Sequence, residues 1–189
     1  MLKLLSRFIF WITGWQVRGE VPVEIRKAVM IAAPHTSYWD FLFARAAFFI
    51  LGLPVRITIK KEVVNAPLFG WMVRQMGGIA IDRTPKDGNL KTKRSMVDAM
   101  VDLLMKNDQM FMMVTPEGTR KQVKRWKSGF YRVAEQAEVP IILGYLDYKN
   151  KIAGIGPVKW PTGDFDKDVE EIMSFYRDKA GKYPEKGVK

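Results

Sequence analysis

The feature that most constrains the fold is the regular alternation of short apolar segments with longer amphipathic ones. Segments with strand character lie at residues 28–33, 55–59, 79–81, 110–114, 140–146 and 152–158. Segments with helical periodicity lie at residues 39–51, 67–76, 89–107, 128–138 and 164–179. Strands that alternate with helices are typical of an α/β fold, in which helices flank a largely parallel central sheet. With 189 residues, the chain is expected to form a single domain of this class.

Charge and composition limit the chemistry that is open to the chain. The formal net charge is +11, which favours an anionic partner: phosphate, an acidic protein, anionic lipid or nucleic acid. The chain has no cysteine, which excludes disulfides, thiolate metal sites and a cysteine nucleophile. With a single histidine as well, the composition argues against a zinc site, and we expect no metal.

The first sixteen residues predict a helix that lies on a membrane surface. The apolar stretch is shorter than the roughly 20 residues that a spanning helix needs. On a helical wheel, Lys3, Ser6 and Arg7 share one sector, while Phe8 and Trp11 fall outside it. This pattern is typical of a helix in the headgroup plane of an anionic membrane. The alternatives are a signal peptide, for which no small-x-small cleavage site follows, and a helix that packs on the protein's own core.

Polar clusters follow three of the predicted strands, at residues 35–40, 77–83 and 115–120. Ligands of open α/β sheets bind outside the carboxyl ends of the strands, so these clusters are expected to converge. Arg83 and Arg120 have the guanidinium groups that bind phosphate oxygens bidentately. Gly118 would let the backbone approach a ligand closely, and Glu117 could hold an arginine or accept a hydrogen bond from a substrate hydroxyl.

The single histidine, His35, precedes Asp40 by five residues. Five residues of helix turn through about 500°, which would leave the two side chains roughly 140° apart. The pair can meet if His35 ends a loop and Asp40 lies in the first turn of the following helix. A carboxylate in that position would fix the imidazole tautomer for general-base chemistry. Alternatively, Ser37 and Asp40 form a capping box at the helix start, and His35 is only a loop residue.

Four blocks of the sequence resemble those of the glycerolipid acyltransferases, the 1-acylglycerol-3-phosphate (lysophosphatidic acid) acyltransferase family. They are His-x4-Asp at residues 35–40, Gly-Ile-Ala-Ile-Asp-Arg at 78–83, Pro-Glu-Gly-Thr-Arg at 116–120 and Val-Pro-Ile-Ile at 139–142. The chain departs from the family pattern at Pro34, where asparagine is common, and at Gly144 and Tyr145, where a second proline is usual.

The resemblance implies a reaction and a role for each matched residue. His35 would deprotonate the acceptor's hydroxyl as it attacks the thioester of the acyl donor, and Asp40 would orient and stabilise His35. The acceptor would be lysophosphatidic acid, and the product phosphatidic acid. The donor would be acyl-CoA or acyl carrier protein as co-substrate, with no cofactor. The residues implied in binding the acceptor's glycerol phosphate are Arg83, Glu117, Gly118, Thr119 and Arg120.

The expected layout is a membrane-surface helix at residues 1–16, an acyltransferase domain at 17–181 and a loose tail at 182–189. We expect peripheral, monotopic attachment at the cytoplasmic face of the membrane. The alternatives are the same chemistry on another lysophospholipid or an aminolipid, and a basic membrane-binding module without catalysis. Nucleic acid is not expected, because the basic residues are not interleaved with aromatic side chains.

Overall fold

The computed structural model describes residues 1–60, 64–67, 69–81 and 95–189. Its centre is a seven-stranded sheet with the order β1-β7-β6-β2-β5-β3-β4. The strands are β1 (Gln16–Arg18), β2 (Lys27–Ala33), β3 (Val55–Lys60), β4 (Gly78–Ile81), β5 (Met110–Val114), β6 (Ile141–Asp147) and β7 (Ile152–Lys159). Among the described strands only β6 and β7 pair antiparallel, so the prediction of a largely parallel sheet is confirmed.

Helices cover both faces of the sheet. They are α1 (Leu2–Thr13), α2 (Trp39–Leu51), α3 (Phe69–Gln75), α4 (Met96–Met105), α5 (Gly129–Gln136) and α6 (Phe165–Tyr176). A short 3-10 helix follows at Pro184–Lys186. No helix in the described part of the chain is both long and apolar enough to cross a membrane.

The core lies on both faces of the central strand β2, as its unbroken apolar sequence requires. On one face, Val29 and Ile31 belong to a cluster that includes Leu104 of α4, Phe130 of α5 and Ile172 of α6. On the opposite face, Met30 packs in a cluster with Phe48 of α2 and Phe111 of β5. The helix α2 therefore lies against the sheet on this face, and α1 packs on α2 through Phe10 and Phe43.

The helix α1 has the amphipathic character that the sequence predicts, and it contacts the protein along a narrow strip. Ser6 and Phe10 are buried. Phe8 and Trp11, by contrast, are 55% and 77% exposed, so the bulk of the apolar face is turned away from the core. Gly14 ends the helix with a left-handed backbone, and Trp15 then folds back into the protein. Packing on the protein's own core thus applies to Ser6, Phe10 and Trp15, and the position on a membrane surface stays a prediction.

The start of one helix and the packing of the C-terminal tail differ from the predictions. The helix expected at residues 89–107 begins at Met96, because the Ser95 hydroxyl accepts a hydrogen bond from the Val97 amide and caps the helix. Residues 89–94 lie outside the described part of the chain.

The tail expected to be loose instead packs on the loop that contains His35. The Tyr183 amide donates to the Thr36 hydroxyl (3.3 Å). Gly181 allows this approach, because a Cβ there would lie 2.7 Å from the Thr36 methyl group.

Candidate active site

His35 and Asp40 meet in the geometry that the five-residue spacing requires. His35 lies in the loop after β2, and Asp40 lies in the first turn of α2. The Nδ1 atom of His35 is 3.0 Å from Oδ2 of Asp40. A carboxylate at this distance favours the tautomer that has its proton on Nδ1, which leaves the lone pair on Nε2 for proton transfer. The expected contact between the two side chains is confirmed.

Asp40 is held by more groups than His35 alone. Its Oδ2 accepts hydrogen bonds from the backbone amides of Thr36 (2.8 Å) and Ser37 (2.9 Å), and its Oδ1 accepts one from the Tyr148 hydroxyl (2.8 Å). Burial acts to raise the pKa of Asp40, but the hydrogen bonds from His35, Ser37, Tyr148 and Thr36 outweigh it and hold the pKa below its ordinary value. The carboxylate is therefore ionised at neutral pH. The hydrogen bond from the Ser37 amide is the one expected of Asp40 in a capping box, but the helix starts after Tyr38, whose side chain makes no capping hydrogen bond. Asp40 thus contacts both the backbone before the helix and His35.

Glu117 holds the backbone of the same loop from the neighbouring strand. It follows β5, which pairs with β2, and its Oε2 accepts a hydrogen bond from the His35 amide (2.8 Å). The side chain is 5% exposed. Burial, together with the charge of Asp40, raises the pKa of Glu117 to about 7 despite this hydrogen bond. Its predicted contact with a substrate stays a prediction, because the structure directs this carboxyl toward the backbone of His35.

The remaining residues of the Pro-Glu-Gly-Thr-Arg block lie in the loop after β5, where Arg120 lines the same cavity as His35. The Arg120 guanidinium stacks over the Tyr38 ring (3.6 Å to the centroid) and donates to its hydroxyl (2.7 Å). Gly118 has a positive φ of 63°, and a Cβ there would lie 2.6 Å from Nζ of Lys127. The Thr119 hydroxyl accepts a hydrogen bond from the Lys121 amide. Arg120 is thus held by Tyr38, and the exposed Gly118 lies next to the ammonium group of Lys127.

The second predicted arginine, Arg83, lies outside the described residues. The strand that precedes it, β4, ends at Ile81 and is the edge strand of the sheet beyond β3. The structure therefore shows the expected convergence for two of the three clusters, those that follow the adjacent strands β2 and β5. The predicted phosphate contact of Arg83 stays a prediction.

A cavity of about 390 Å³ extends from His35 between α2 and the sheet. Its polar end is lined by His35, Tyr38, Asp40 and Arg120. The remainder is apolar and is lined by residues that include Met30, Ala32, Ala44, Phe48, Leu51, Met113, Gly144 and Ile155. The small residues among them keep the space open, and Ala32 is only half-buried although it lies on the central strand. The volume falls within the range of about 300–1,000 Å³ that is typical of ligand pockets.

Sequence reasoning missed three residues at this site. Tyr148 follows β6 and binds Asp40, Tyr38 supports Arg120, and Lys127 lies beside Gly118. A local pattern does not reveal such contacts, since Tyr148 is 108 residues from Asp40 along the chain. The described residues contain no group of three or more His, Asp or Glu side chains arranged to hold a metal ion.

A comparison against protein families agrees with the four sequence blocks. A family model described as Acyltransferase matches residues 14–143, which is more than half of the chain. The chain belongs to this acyltransferase family. The resemblance that rests on the four sequence blocks is thereby confirmed, and the match contains His35, Asp40 and the block at residues 116–120.

Individual relatives agree with the family assignment. The chain is 26% identical to a 1-acyl-sn-glycerol-3-phosphate acyltransferase from Pseudomonas aeruginosa, over 88% of this chain and 69% of that one. It is 28% identical to the enzyme of that name from Streptococcus pneumoniae, over 68% of this chain and 47% of that one. It is 26% identical to human lysophosphatidylcholine acyltransferase 2, over 80% of this chain but only 26% of that one.

A solved structure supports the fold. The 1-acyl-sn-glycerophosphate (LPA) acyltransferase PlsC from Thermotoga maritima superposes with a TM-score of 0.60 at 15% identity, and the match covers 92% of this chain and 74% of that one. At this identity the similarity shows a shared α/β architecture. The single α/β domain inferred from the sequence is thus confirmed.

Proposed function

We propose that the protein transfers a fatty acyl group from a thioester donor to the free hydroxyl of lysophosphatidic acid, giving phosphatidic acid. The observation that supports this most directly is the His35–Asp40 pair at the polar end of an apolar cavity. A general base beside a space suited to a hydrocarbon chain fits acyl transfer better than a binding module. The names of the bacterial relatives support the choice of acceptor.

The proposed chemistry proceeds without a covalent acyl-enzyme. Because Nδ1 of His35 faces Asp40, Nε2 is the atom that takes the proton from the acceptor's hydroxyl. The oxygen then bonds to the thioester carbonyl carbon, and the carbon–sulfur bond breaks as the tetrahedral intermediate collapses. The thiolate leaves and receives the proton from Nε2. The ionised Asp40 stabilises the imidazolium that forms between these two proton transfers.

The acyl chain of the donor would lie in the apolar cavity under α2. Its walls offer hydrocarbon contacts from β2, α2, β5, β6 and β7, and each methylene buried there contributes about 0.8 kcal/mol. The reacting carbonyl would then lie at the polar end, next to His35. The sulfur-bearing part of the donor, whether coenzyme A or acyl carrier protein, would remain outside, where the net charge of +11 attracts its phosphates or acidic side chains.

The acceptor's phosphate would bind the Arg120 guanidinium at the cavity, and Lys127 is a second cation of the same loop. A guanidinium held flat on the Tyr38 ring keeps its remaining donors directed outward, and Gly118 exposes backbone beside the Lys127 ammonium. We expect Arg120→Ala to raise the KM for lysophosphatidic acid about tenfold while the KM for the donor is unchanged. Lys121→Ala, an exposed cation one residue away, is the matched control. An unchanged acceptor KM in the Arg120 variant would contradict the assignment.

The outward face of α1 is proposed to bind the membrane that holds the acceptor. It presents Leu4, Phe8, Trp11 and Ile12, all more than half exposed. Aromatic and branched side chains on such a face bury themselves at the boundary of headgroups and acyl chains, and the basic surface favours anionic lipid. Attachment would be peripheral and on the cytoplasmic face, where the thioester donors are found.

Product analysis tests the proposed reaction. The protein is incubated with palmitoyl-CoA, or with an acyl carrier protein charged with the same chain, and with one acceptor at a time in mixed micelles. Mass spectrometry should detect phosphatidic acid with lysophosphatidic acid as acceptor. Acylation of lysophosphatidylcholine or of an aminolipid in its place would move the assignment to that acceptor. The absence of any acylated product with either donor would favour the non-catalytic membrane-binding alternative.

A further inference from the structure

Tyr148 is the only described side chain besides His35 that binds Asp40. It lies directly after β6, outside the four sequence blocks that resemble the family's. Its hydroxyl donates to Oδ1 of Asp40 (2.8 Å), whereas His35 and two backbone amides bind Oδ2. The two carboxylate oxygens are thus held separately, and a rotation of the carboxylate would break the contacts on both sides.

The ring of Tyr148 is itself fixed by the segment that follows α1. Trp15 meets it edge to face at 4.9 Å with an interplanar angle of 90°. Trp15 in turn stacks on Phe43 of α2 (4.4 Å), and Phe10 of α1 contacts both of these rings. The backbone of Tyr148 is held from the other side, since its amide donates to the carbonyl of Ala180 (2.8 Å).

We propose that Tyr148 is a positioning residue for the catalytic pair, and that Trp15 keeps it in place, so that the N-terminal segment supports catalysis as well as lipid binding. The proposal rests on the proposed function of His35 and Asp40. Tyr148 does not touch substrate in this scheme. It acts by keeping Oδ2 of Asp40 directed at Nδ1 of His35.

The phenol is suited to this role because it stays protonated. Burial, together with the hydrogen bond to the Asp40 carboxylate, raises the pKa of Tyr148 well above its ordinary value. The hydroxyl is therefore a permanent donor over the pH range in which the enzyme would work. Replacement by phenylalanine removes this donor and preserves the ring that Trp15 contacts.

The single histidine makes a direct test possible. In 15N-labelled protein, the ring nitrogens of His35 give one set of NMR signals, whose shifts report the populations of the two neutral tautomers. We expect the Nδ1–H tautomer to dominate in the wild type and to lose population in Tyr148→Phe. In the same variant kcat should fall about tenfold, while the KM for donor and acceptor is unchanged.

Tyr183→Phe is the matched control. Its ring is partly exposed, and its hydrogen bond to Thr36 in the His35 loop comes from the backbone amide, which phenylalanine keeps. Wild-type kcat and tautomer populations are expected for this variant. If Tyr148→Phe matches it in both readouts, or loses activity with unchanged tautomers, the positioning role is overturned.

Substitutions of Trp15 test the second part of the proposal. Trp15→Phe retains an aromatic edge against Tyr148, whereas Trp15→Leu does not. With all substrates in detergent micelles, kcat should fall more in the leucine variant, and the tautomer shift should follow the same order. Equal kcat values and tautomer populations in the two variants would overturn the link to Trp15.

The variant His35→Ala, measured alongside, separates the positioning role of Tyr148 from the proposed function. Full activity in His35→Ala would overturn the proposed base. An inactive His35→Ala with an unaffected Tyr148→Phe would overturn only the role of Tyr148.

Discussion

Two buried carboxyl groups contact His35, and their surroundings drive their pKa values in opposite directions. Asp40 receives hydrogen bonds from a ring nitrogen, two backbone amides and a phenol, and its pKa is lowered. Glu117 receives one from the His35 amide, and burial raises its pKa to about 7. The number of donors explains the difference, since each one favours the ionised form against the cost of burial. Asp40 is thus ionised at neutral pH, whereas Glu117 is largely protonated only below about pH 7.

Glu117 should make the stability of the fold depend on pH. A carboxyl whose pKa rises from 4.5 when unfolded to about 7 when folded binds more protons in the folded state. Its contribution to the free energy of unfolding is therefore fully present below pH 4.5 and declines as the pH rises toward 7, by about 3 kcal/mol in total. We expect Glu117→Gln to flatten this decline, as measured by urea unfolding at pH 5.5 and pH 8. A difference between wild type and variant that is the same at both pH values would contradict the raised pKa.

At the scale of elements, α2 links most parts of the site. Its first turn contains Asp40, its inner face forms one wall of the apolar cavity through Ala44 and Phe48, and its outer face supports α1 through Phe43. The helix was predicted with its observed bounds, residues 39–51. Apolar residues cover most of the circumference of this helix, because it lies between the sheet and α1.

The cavity under α2 should limit the length of the acyl chain. Ala32→Leu projects a larger side chain into the open space beside the central strand and would displace about three methylenes of a long chain, which corresponds to roughly 2 kcal/mol. We expect kcat/KM for palmitoyl-CoA to fall about thirtyfold, while that for butyryl-CoA is unchanged. The short donor is the internal control. Equal losses with both donors would show that the cavity does not hold the chain.

The exposed face of α1 should bind lipid. The double substitution Phe8→Ser and Trp11→Ser removes two large apolar side chains without touching the buried Phe10. Each contributes about 1.5–3 kcal/mol if it is buried at the interface, so binding to anionic vesicles should weaken more than tenfold in a sedimentation assay. Trp160→Ser, at a tryptophan that is 61% exposed elsewhere, is the control. Undiminished sedimentation of the double variant would contradict lipid binding by this face.

At the scale of the whole molecule, the local patterns of the sequence predict six of the seven described strands, the exception being the three-residue β1. They also predict the main helices and the approach of His35 to Asp40. Local patterns are enough for these features, because each of them depends on residues that are close together in the sequence. The contacts of Tyr148 with Asp40 and of Tyr183 with Thr36 span 108 and 147 residues, and each depends on the packing of the complete sheet. The order of the strands likewise follows from packing, so the sequence predicts the polar clusters but not which of them lie on adjacent strands.

Thiol release from acyl-CoA tests the central claim most directly, because the protein has no cysteine to react with the detecting reagent. Wild type and His35→Ala are compared with and without lysophosphatidic acid. The proposed mechanism predicts release by the wild type that depends on the acceptor, and loss of at least 99% of it in the variant, since general-base catalysis contributes about 10²- to 10⁴-fold. Acceptor-dependent release by His35→Ala at more than a tenth of the wild-type rate would contradict the role of His35 as the base.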